Sequence, residues 1–151
     1  MSRIRPVFLW LARLSVAGLF LAACITKIRH PDLFALAVHR YRILPGEWVN
    51  MVAIVLPWIE LTTALSLLIA PARLRAAGAL IITGMLTVFT IAITLNLFRG
   101  IEASCGCFST RADAAVSDGW NLVRNGSLIW LSVLLFLEAF RSTLHSPRTS
   151  P

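Results

Sequence analysis

The chain has 151 residues, enough for one domain, but its composition is unlike that of a soluble domain. Apolar residues make up 58% of the chain and charged residues 14%, against about 25% charged residues in typical soluble proteins. Mean hydropathy is +0.79, and the basic residues behind the net charge of +7 are scattered between apolar runs, with no basic stripe. We therefore exclude a cytosolic globular enzyme, a disordered chain and a nucleic-acid partner, and expect the lipid bilayer to surround this protein.

Four apolar stretches are each long enough to cross a hydrocarbon core of about 30 Å, which takes about 20 helical residues. They cover residues 7–25, 48–70, 76–98 and 122–140. The pattern predicts an all-α fold, a four-helix transmembrane bundle. Residues 1–145 form a single integral-membrane domain in this prediction, and the polar residues 146–151 form a disordered tail.

The connections between the spans are unequal in length. Residues 71–75 form a tight turn in this prediction, so the second and third spans should be antiparallel neighbours. Segments 26–47 and 99–121 are longer and should lie together on the opposite side of the membrane.

The distribution of basic residues predicts the orientation. On one side of the membrane the basic residues lie in long loops that also contain acidic residues. On the other side they are concentrated in short segments, and this higher density of basic residues favours the cytoplasmic side. The crowded residues are Arg3, Arg5, Arg73, Arg75, Arg141 and Arg148. We expect a multi-pass protein of the bacterial inner membrane with both termini cytoplasmic and both long loops periplasmic.

The first span also resembles a lipoprotein signal. The Leu-Ala-Ala-Cys run that ends at Cys24 is similar to a bacterial lipobox, and Arg3 and Arg5 supply a positive start. Arg13 interrupts the apolar region that such a signal requires. We therefore treat the segment as a retained first helix.

Cys105 and Cys107 carry the clearest chemical signal in the chain. Only Gly106 separates them, and a bent chain brings residues this close within the Cα separation of about 4.4–6.8 Å that a disulfide needs. Glycine permits the positive φ that such a bend uses. A ring this small is strained and easily reduced, which suits thiol–disulfide exchange with a partner protein.

Other interpretations of the cysteines stay open at this point. The pair could staple a loop or remain as inert thiols, although closing so short a loop stabilises a fold very little. Both thiolates could bind a metal with His30 and His39, but these histidines lack ligand spacing, so we predict no metal site. Cys24 is interpreted as a small apolar helix residue, with a resolving role in exchange as the alternative.

Two charged residues interrupt the apolar spans. Glu60 lies in the middle of the second span and Arg13 in the first, at depths that differ by about 6 Å. Since a lone charge in lipid costs at least about 2.5–3.5 kcal/mol, we predict an Arg13–Glu60 ion pair that packs two helices together. Alternatively, Glu60 is a proton or substrate group. Pro57 should kink the second span, and Asn96 should hydrogen-bond between helices.

An ordered set of short motifs resembles the MauE/DoxX group of redox-associated membrane proteins over about residues 10–140. The set comprises Arg13, residues 27–31 (KIRHP), 41–45 (YRILP), 56–61 (LPWIEL), 99–100 (RG) and 105–108 (CGCF). The chain departs from the group at Ser109, where glycine is usual, and at Cys24, where a smaller residue is usual.

The resemblance implies a four-helix membrane bundle that supports thiol or redox metabolism in the cell envelope. MauE-type members are associated with methylamine utilisation. They are thought to help mature or export the disulfide-rich small subunit of methylamine dehydrogenase. The expected partner is a periplasmic thioredoxin-like protein or a subunit of a redox enzyme.

These observations predict an accessory protein in which Cys105 and Cys107 exchange disulfides. The sequence identifies no cofactor, and a quinone between the helices is a candidate electron acceptor. Whether the protein is itself an enzyme stays open. The alternatives are a structural membrane subunit or assembly factor without redox activity, and a small transporter that uses Glu60 and Arg13.

Overall fold

The computed structural model describes residues 4–99 and 118–145. Within these ranges the chain forms five α-helices and no strand. They are α1 (Ile4–Arg29), α2 (Pro31–Arg40), α3 (Gly46–Ile69), α4 (Ala72–Phe98) and α5 (Asp118–His145). All but α2 are long and apolar enough to cross a membrane. The predicted all-α transmembrane bundle is confirmed.

The four long helices form a closed ring. α1 packs against α3 and α5, and α4 packs against the same two helices on the other side. Consecutive long helices alternate in direction as the chain crosses back through the bundle, and Arg13 near the start of α1 accordingly meets Glu138 near the end of α5. Thr83 and Ser132 share a hydrogen bond of 2.8 Å between α4 and α5. The ring therefore places the start of α1, the α3–α4 turn and the end of α5 at one end of the bundle.

Small side chains lie at several interior positions of the bundle, and large apolar side chains cover its outside. Ala17, Ala64 and Ala79 have no exposed surface, and such small residues allow helix backbones to approach closely in a membrane. On the outer faces large apolar side chains point away from the bundle, and Ile69 and Phe98 are more than four-fifths exposed. This distribution fits a bundle whose outer surface is solvated by lipid tails.

The segment between the first two spans contains a helix that the sequence analysis placed in a loop. Pro31 disfavours helical backbone at His30, so α1 ends there, and the fixed φ of proline then suits the first turn of α2. α2 packs on α3 and α1 and buries Phe34. Beyond α2 the chain turns at Arg42, whose φ of 49° is left-handed.

The turn between α3 and α4 is tighter than predicted. Only Ala70 and Pro71 separate the two helices, which pack as the expected antiparallel neighbours.

Pro57 is fully buried inside α3. The helix continues through Pro57 although proline cannot donate to the carbonyl four residues earlier. The predicted tail, residues 146–151, lies outside the described residues.

Candidate functional site

The most deeply buried charges in the described ranges form an ion pair between α1 and α3. Lys27 Nζ donates to Glu60 Oε1, and the two side chains are 1% and 3% exposed. A cation and a carboxylate at this depth must be paired, because either one alone would lose its hydration without compensation. The pair therefore fixes the position of α1 against α3.

Aromatic rings complete the surroundings of Lys27. Its Nζ lies 4.8 Å from the ring centroid of Phe34 on α2 and 5.5 Å from that of Phe89 on α4. Both distances allow cation–π attraction, which strengthens when the cation is removed from water. One lysine thus contacts three neighbouring helices through a carboxylate and two ring faces.

A small, mostly apolar cavity of about 30 Å³ adjoins the pair. Lys27, Glu60, Arg124 and Asn125 contribute the polar part of its lining. Among the described residues, Glu60 Oε2 and Asn125 Nδ2 are buried without a hydrogen-bond partner. A water molecule needs about 10–15 Å³ of such space and two or more polar partners. The cavity therefore has room for a water molecule beside these two groups.

Arg13 forms a second ion pair, with Glu138 of α5. Arg13 Nη2 donates to Glu138 Oε2 at 2.5 Å, and the arginine lies 5.8 Å from the ring centroid of Trp10. The predicted pairing of Arg13 with Glu60 is therefore wrong. Lys27, predicted to lie in a loop, is the partner of Glu60 because α1 extends to Arg29.

Removing either member of the Arg13–Glu138 pair should destabilise the bundle moderately. We expect Arg13→Leu or Glu138→Leu to lower the free energy of unfolding by about 1–2 kcal/mol, because Glu138 keeps a quarter of its surface exposed and retains some solvation. Unfolding in mixed detergent micelles measures the loss. Arg73 is exposed, so Arg73→Leu is the control and should change the free energy of unfolding little. Strictly additive effects in the double variant would contradict a direct interaction.

A larger apolar cavity of about 500 Å³ lies between α2, α3 and α4. Phe89 lines both this cavity and the smaller one beside Lys27 and Glu60. The apolar lining includes Phe34 and Tyr41 on the α2 side and Gly84 on α4. The cavity could not be predicted without α2, which forms one of its walls.

The predicted interhelical hydrogen bond of Asn96 is not formed with any described residue. Asn96 is buried near the end of α4, at 3% exposure, and neither its Oδ1 nor its Nδ2 has a partner in the described ranges. Three residues later the first described range ends at Arg99, and the sequence then runs into the segment that contains Cys105 and Cys107.

Of the predicted site residues, the structure places Cys24, Arg13 and Glu60. Cys24 has no exposed surface, and its thiol donates to the carbonyl of Leu21 at 3.2 Å within α1. Cys105 and Cys107 lie outside the described residues. His30 and His39 are described, and no group of potential metal ligands is present in residues 4–99 and 118–145.

Lys27 and Asn125 are two of the buried polar residues that sequence reasoning overlooked. Lys27 continues a buried face of α1, at spacings of three and four residues, on which Phe20, Ala23 and Cys24 also lie. Extending that periodicity past residue 25 would have placed the lysine inside the bundle. Asn125 follows Arg124 at the start of the fourth span, where a polar residue resembles an interfacial anchor.

The closed ring of apolar helices with internally paired charges defines a multi-pass helical membrane protein. A protein-family model, described as methylamine utilisation protein MauE, matches residues 5–138. The chain belongs to the MauE family. No solved structure matches the chain.

Curated relatives support the same family. The chain is 38% identical over 121 residues to methylamine utilization protein MauE of Paracoccus denitrificans. This alignment covers 80% of the chain and 63% of that relative. It is 38% identical over 103 residues to the protein of the same name from Methylophilus methylotrophus, covering 68% of the chain and 53% of the relative. The chain thus spans between about half and two thirds of the length of these relatives.

Proposed function

We propose that this protein is an accessory factor of methylamine utilisation that performs thiol–disulfide exchange at the cell envelope. Membership of the MauE family supports the pathway, and Cys105 and Cys107 with a single residue between them support the chemistry. The proposed client is a disulfide-rich protein, such as the small subunit of methylamine dehydrogenase. The proposed partner is a periplasmic thioredoxin-like protein or a subunit of a redox enzyme.

The proposed exchange starts from a Cys105–Cys107 disulfide. A client thiolate attacks one of the two sulfurs, and the other sulfur leaves as a thiolate. A second client thiolate then attacks the mixed disulfide and releases the reduced pair. Two electrons pass from the client to the pair, and the client gains one disulfide. A membrane quinone is the proposed acceptor that oxidises the pair again.

The orientation is part of the proposal. The basic residues near the start of α1, in the α3–α4 turn and at the end of α5 lie at one end of the bundle, which we assign to the cytoplasm of a cell with an inner membrane. The end of α4 and the start of α5 lie at the other end. The segment with Cys105 and Cys107 joins those two ends, so the pair would face the periplasm.

Thiol trapping in intact cells tests the state and the side of the pair. We expect a membrane-impermeant maleimide to label Cys105 and Cys107 only after reduction, because an oxidised pair has no free thiolate. The experiment uses the Cys24→Ala background, so that all labelling comes from the pair. Labelling without reduction, or only after cells are opened, would contradict a periplasmic disulfide.

Replacing the pair tests its role. We expect Cys105→Ser and Cys107→Ser each to reduce client maturation by about tenfold or more, because the disulfide that the client thiolate attacks needs both cysteines. Client disulfides, followed by gel mobility after thiol blocking, measure the effect. Cys24→Ala is the matched control and should preserve maturation, since Cys24 is buried.

Normal maturation with both serine variants at equal protein levels would support a structural subunit instead. A transporter would lose activity with Glu60→Gln while both serine variants stay active.

A further inference from the structure

The small cavity beside Lys27 and Glu60 is lined by residues of all four long helices. Its lining includes Leu19 of α1, Glu60 of α3, Leu86 of α4 and Leu128 of α5. Its volume of about 30 Å³ is far below the roughly 300–1,000 Å³ of pockets that hold organic ligands. A water molecule needs only about 10–15 Å³ of such space. The cavity therefore has the size for water or a single ion, and not for an organic molecule.

Two unsatisfied polar groups line this cavity. Glu60 is 2% exposed and Asn125 is 3% exposed. Glu60 Oε2 and Asn125 Nδ2 have no hydrogen-bond partner within residues 4–99 and 118–145. Folding has removed both atoms from water, and nearly all polar atoms buried in this way regain a partner. The two groups therefore indicate an occupant that accepts a hydrogen bond from an amide and donates one to a carboxylate.

The charges around the cavity favour a neutral occupant. Lys27 and Arg124 bring two positive charges to the lining, and Glu60 brings one negative charge. A cation would lie beside two basic side chains. An anion would lie beside the carboxylate oxygen that has no partner, and most of the remaining wall is apolar and cannot replace its hydration. Water is neutral, and one molecule both donates and accepts.

We propose that this cavity holds an ordered water molecule that accepts a hydrogen bond from Asn125 Nδ2 and donates one to Glu60 Oε2. Lys27 Nζ already donates to Glu60 Oε1, so the water satisfies the second carboxylate oxygen. The ion pair between α1 and α3 then extends through the water to α5. Asn125 is a positioning residue for Glu60 in this arrangement, which stands whether or not Cys105 and Cys107 exchange disulfides.

Solid-state NMR of the full chain in phospholipid liposomes tests the site. The protein carries ¹³C-labelled glutamate, the transfer of polarisation from water protons to side-chain carboxyl carbons is timed, and Glu60→Gln identifies the Glu60 signal by its loss. Asn125→Leu removes the amide donor and fills space in the cavity. Ser127→Leu is the matched control, at an exposed position of the same helix that does not line the cavity. We expect Asn125→Leu to slow transfer to Glu60 about threefold or more and Ser127→Leu to leave it within about 1.5-fold.

The comparison isolates the water, because Lys27 is present in all three proteins and its exchangeable protons contribute equally. Equal transfer rates in the three proteins would overturn the water site. If Asn125→Leu does not fold, the unmodified protein decides. Transfer to Glu60 at less than about a tenth of the rate to the exposed Glu47 would then show a dry carboxylate.

A salt comparison separates water from a bound anion. The unfolding temperature of the unmodified protein is measured in sodium chloride and in sodium gluconate at equal ionic strength. We expect equal values, because a water site does not depend on the anion. A lower unfolding temperature in gluconate that disappears in Asn125→Leu would assign the cavity to chloride and overturn the proposal.

Discussion

Replacing Lys27 with methionine should cause the largest loss of stability of any single change considered. The substitution keeps the length of the side chain but leaves Glu60 as a buried carboxylate without its cation. Breaking a buried pair from one side costs about 3–5 kcal/mol, because the remaining charge cannot recover its hydration. The free energy of unfolding, measured by denaturant titration in mixed detergent micelles, gives the size of the loss.

Two further variants make this test specific. Arg29→Met removes an exposed cation two residues after Lys27 in the same helix. It should change the free energy of unfolding by no more than about 0.5 kcal/mol. The double variant Lys27→Met/Glu60→Leu removes both charges and should be more stable than Lys27→Met alone. A double variant that loses the full sum of the single effects would show that the two side chains do not compensate each other.

Leucine at position 78 should separate α3 from α4. A Cβ on Gly78 would lie 1.9 Å from Ser66 Oγ and 3.2 Å from the backbone oxygen of Thr63. The serine hydroxyl could rotate away only by giving up its 2.7 Å hydrogen bond to that same oxygen, and the backbone oxygen cannot move alone. Because overpacking of this kind costs about 1–3 kcal/mol, we expect Gly78→Leu to lower the unfolding temperature clearly.

Gly84→Leu is the matched control for this effect, since both glycines lie in α4 and only Gly78 faces a close neighbour. Gly84→Leu should unfold at nearly the same temperature as the unmodified protein. A second comparison locates the clash. Ser66→Ala should reduce the cost of Gly78→Ala, because it removes the atom nearest to the new Cβ. Equal destabilisation by leucine at both glycines would contradict the close approach of α3 and α4 at this point.

The membrane-spanning helices were predictable because lipid imposes a simple rule on length and composition. A span must be about 20 apolar residues long, and the runs that meet this rule all became helices. The same rule did not predict α2, because this helix is too short to span a membrane and begins directly after His30. Apolar residues at positions 33, 34, 37 and 38, followed by Tyr41 just beyond the helix, have helical spacing, and that signal was available in the sequence.

The buried charges were predictable as a class, but their partners were not. The cost of a charge in lipid indicates that Arg13 and Glu60 need counter-charges. Which counter-charge each one meets depends on the order of helices around the ring and on where each helix ends. Depth along the membrane is only one coordinate of that arrangement. Extending α1 to Arg29 brings Lys27 to Glu60, and the neighbouring position of α5 brings Glu138 to Arg13.

The two ion pairs differ in when they can form during synthesis. Lys27 and Glu60 belong to α1 and α3, the first two long helices to be made, so this pair can form before α4 and α5 exist. Arg13 is made first among the paired charges, yet its partner Glu138 is on the last helix. Until α5 is inserted, Arg13 must reach toward the headgroups or carry the cost of an unpaired charge. Insertion of α5 is therefore the step that gives Arg13 its partner and closes the ring of helices.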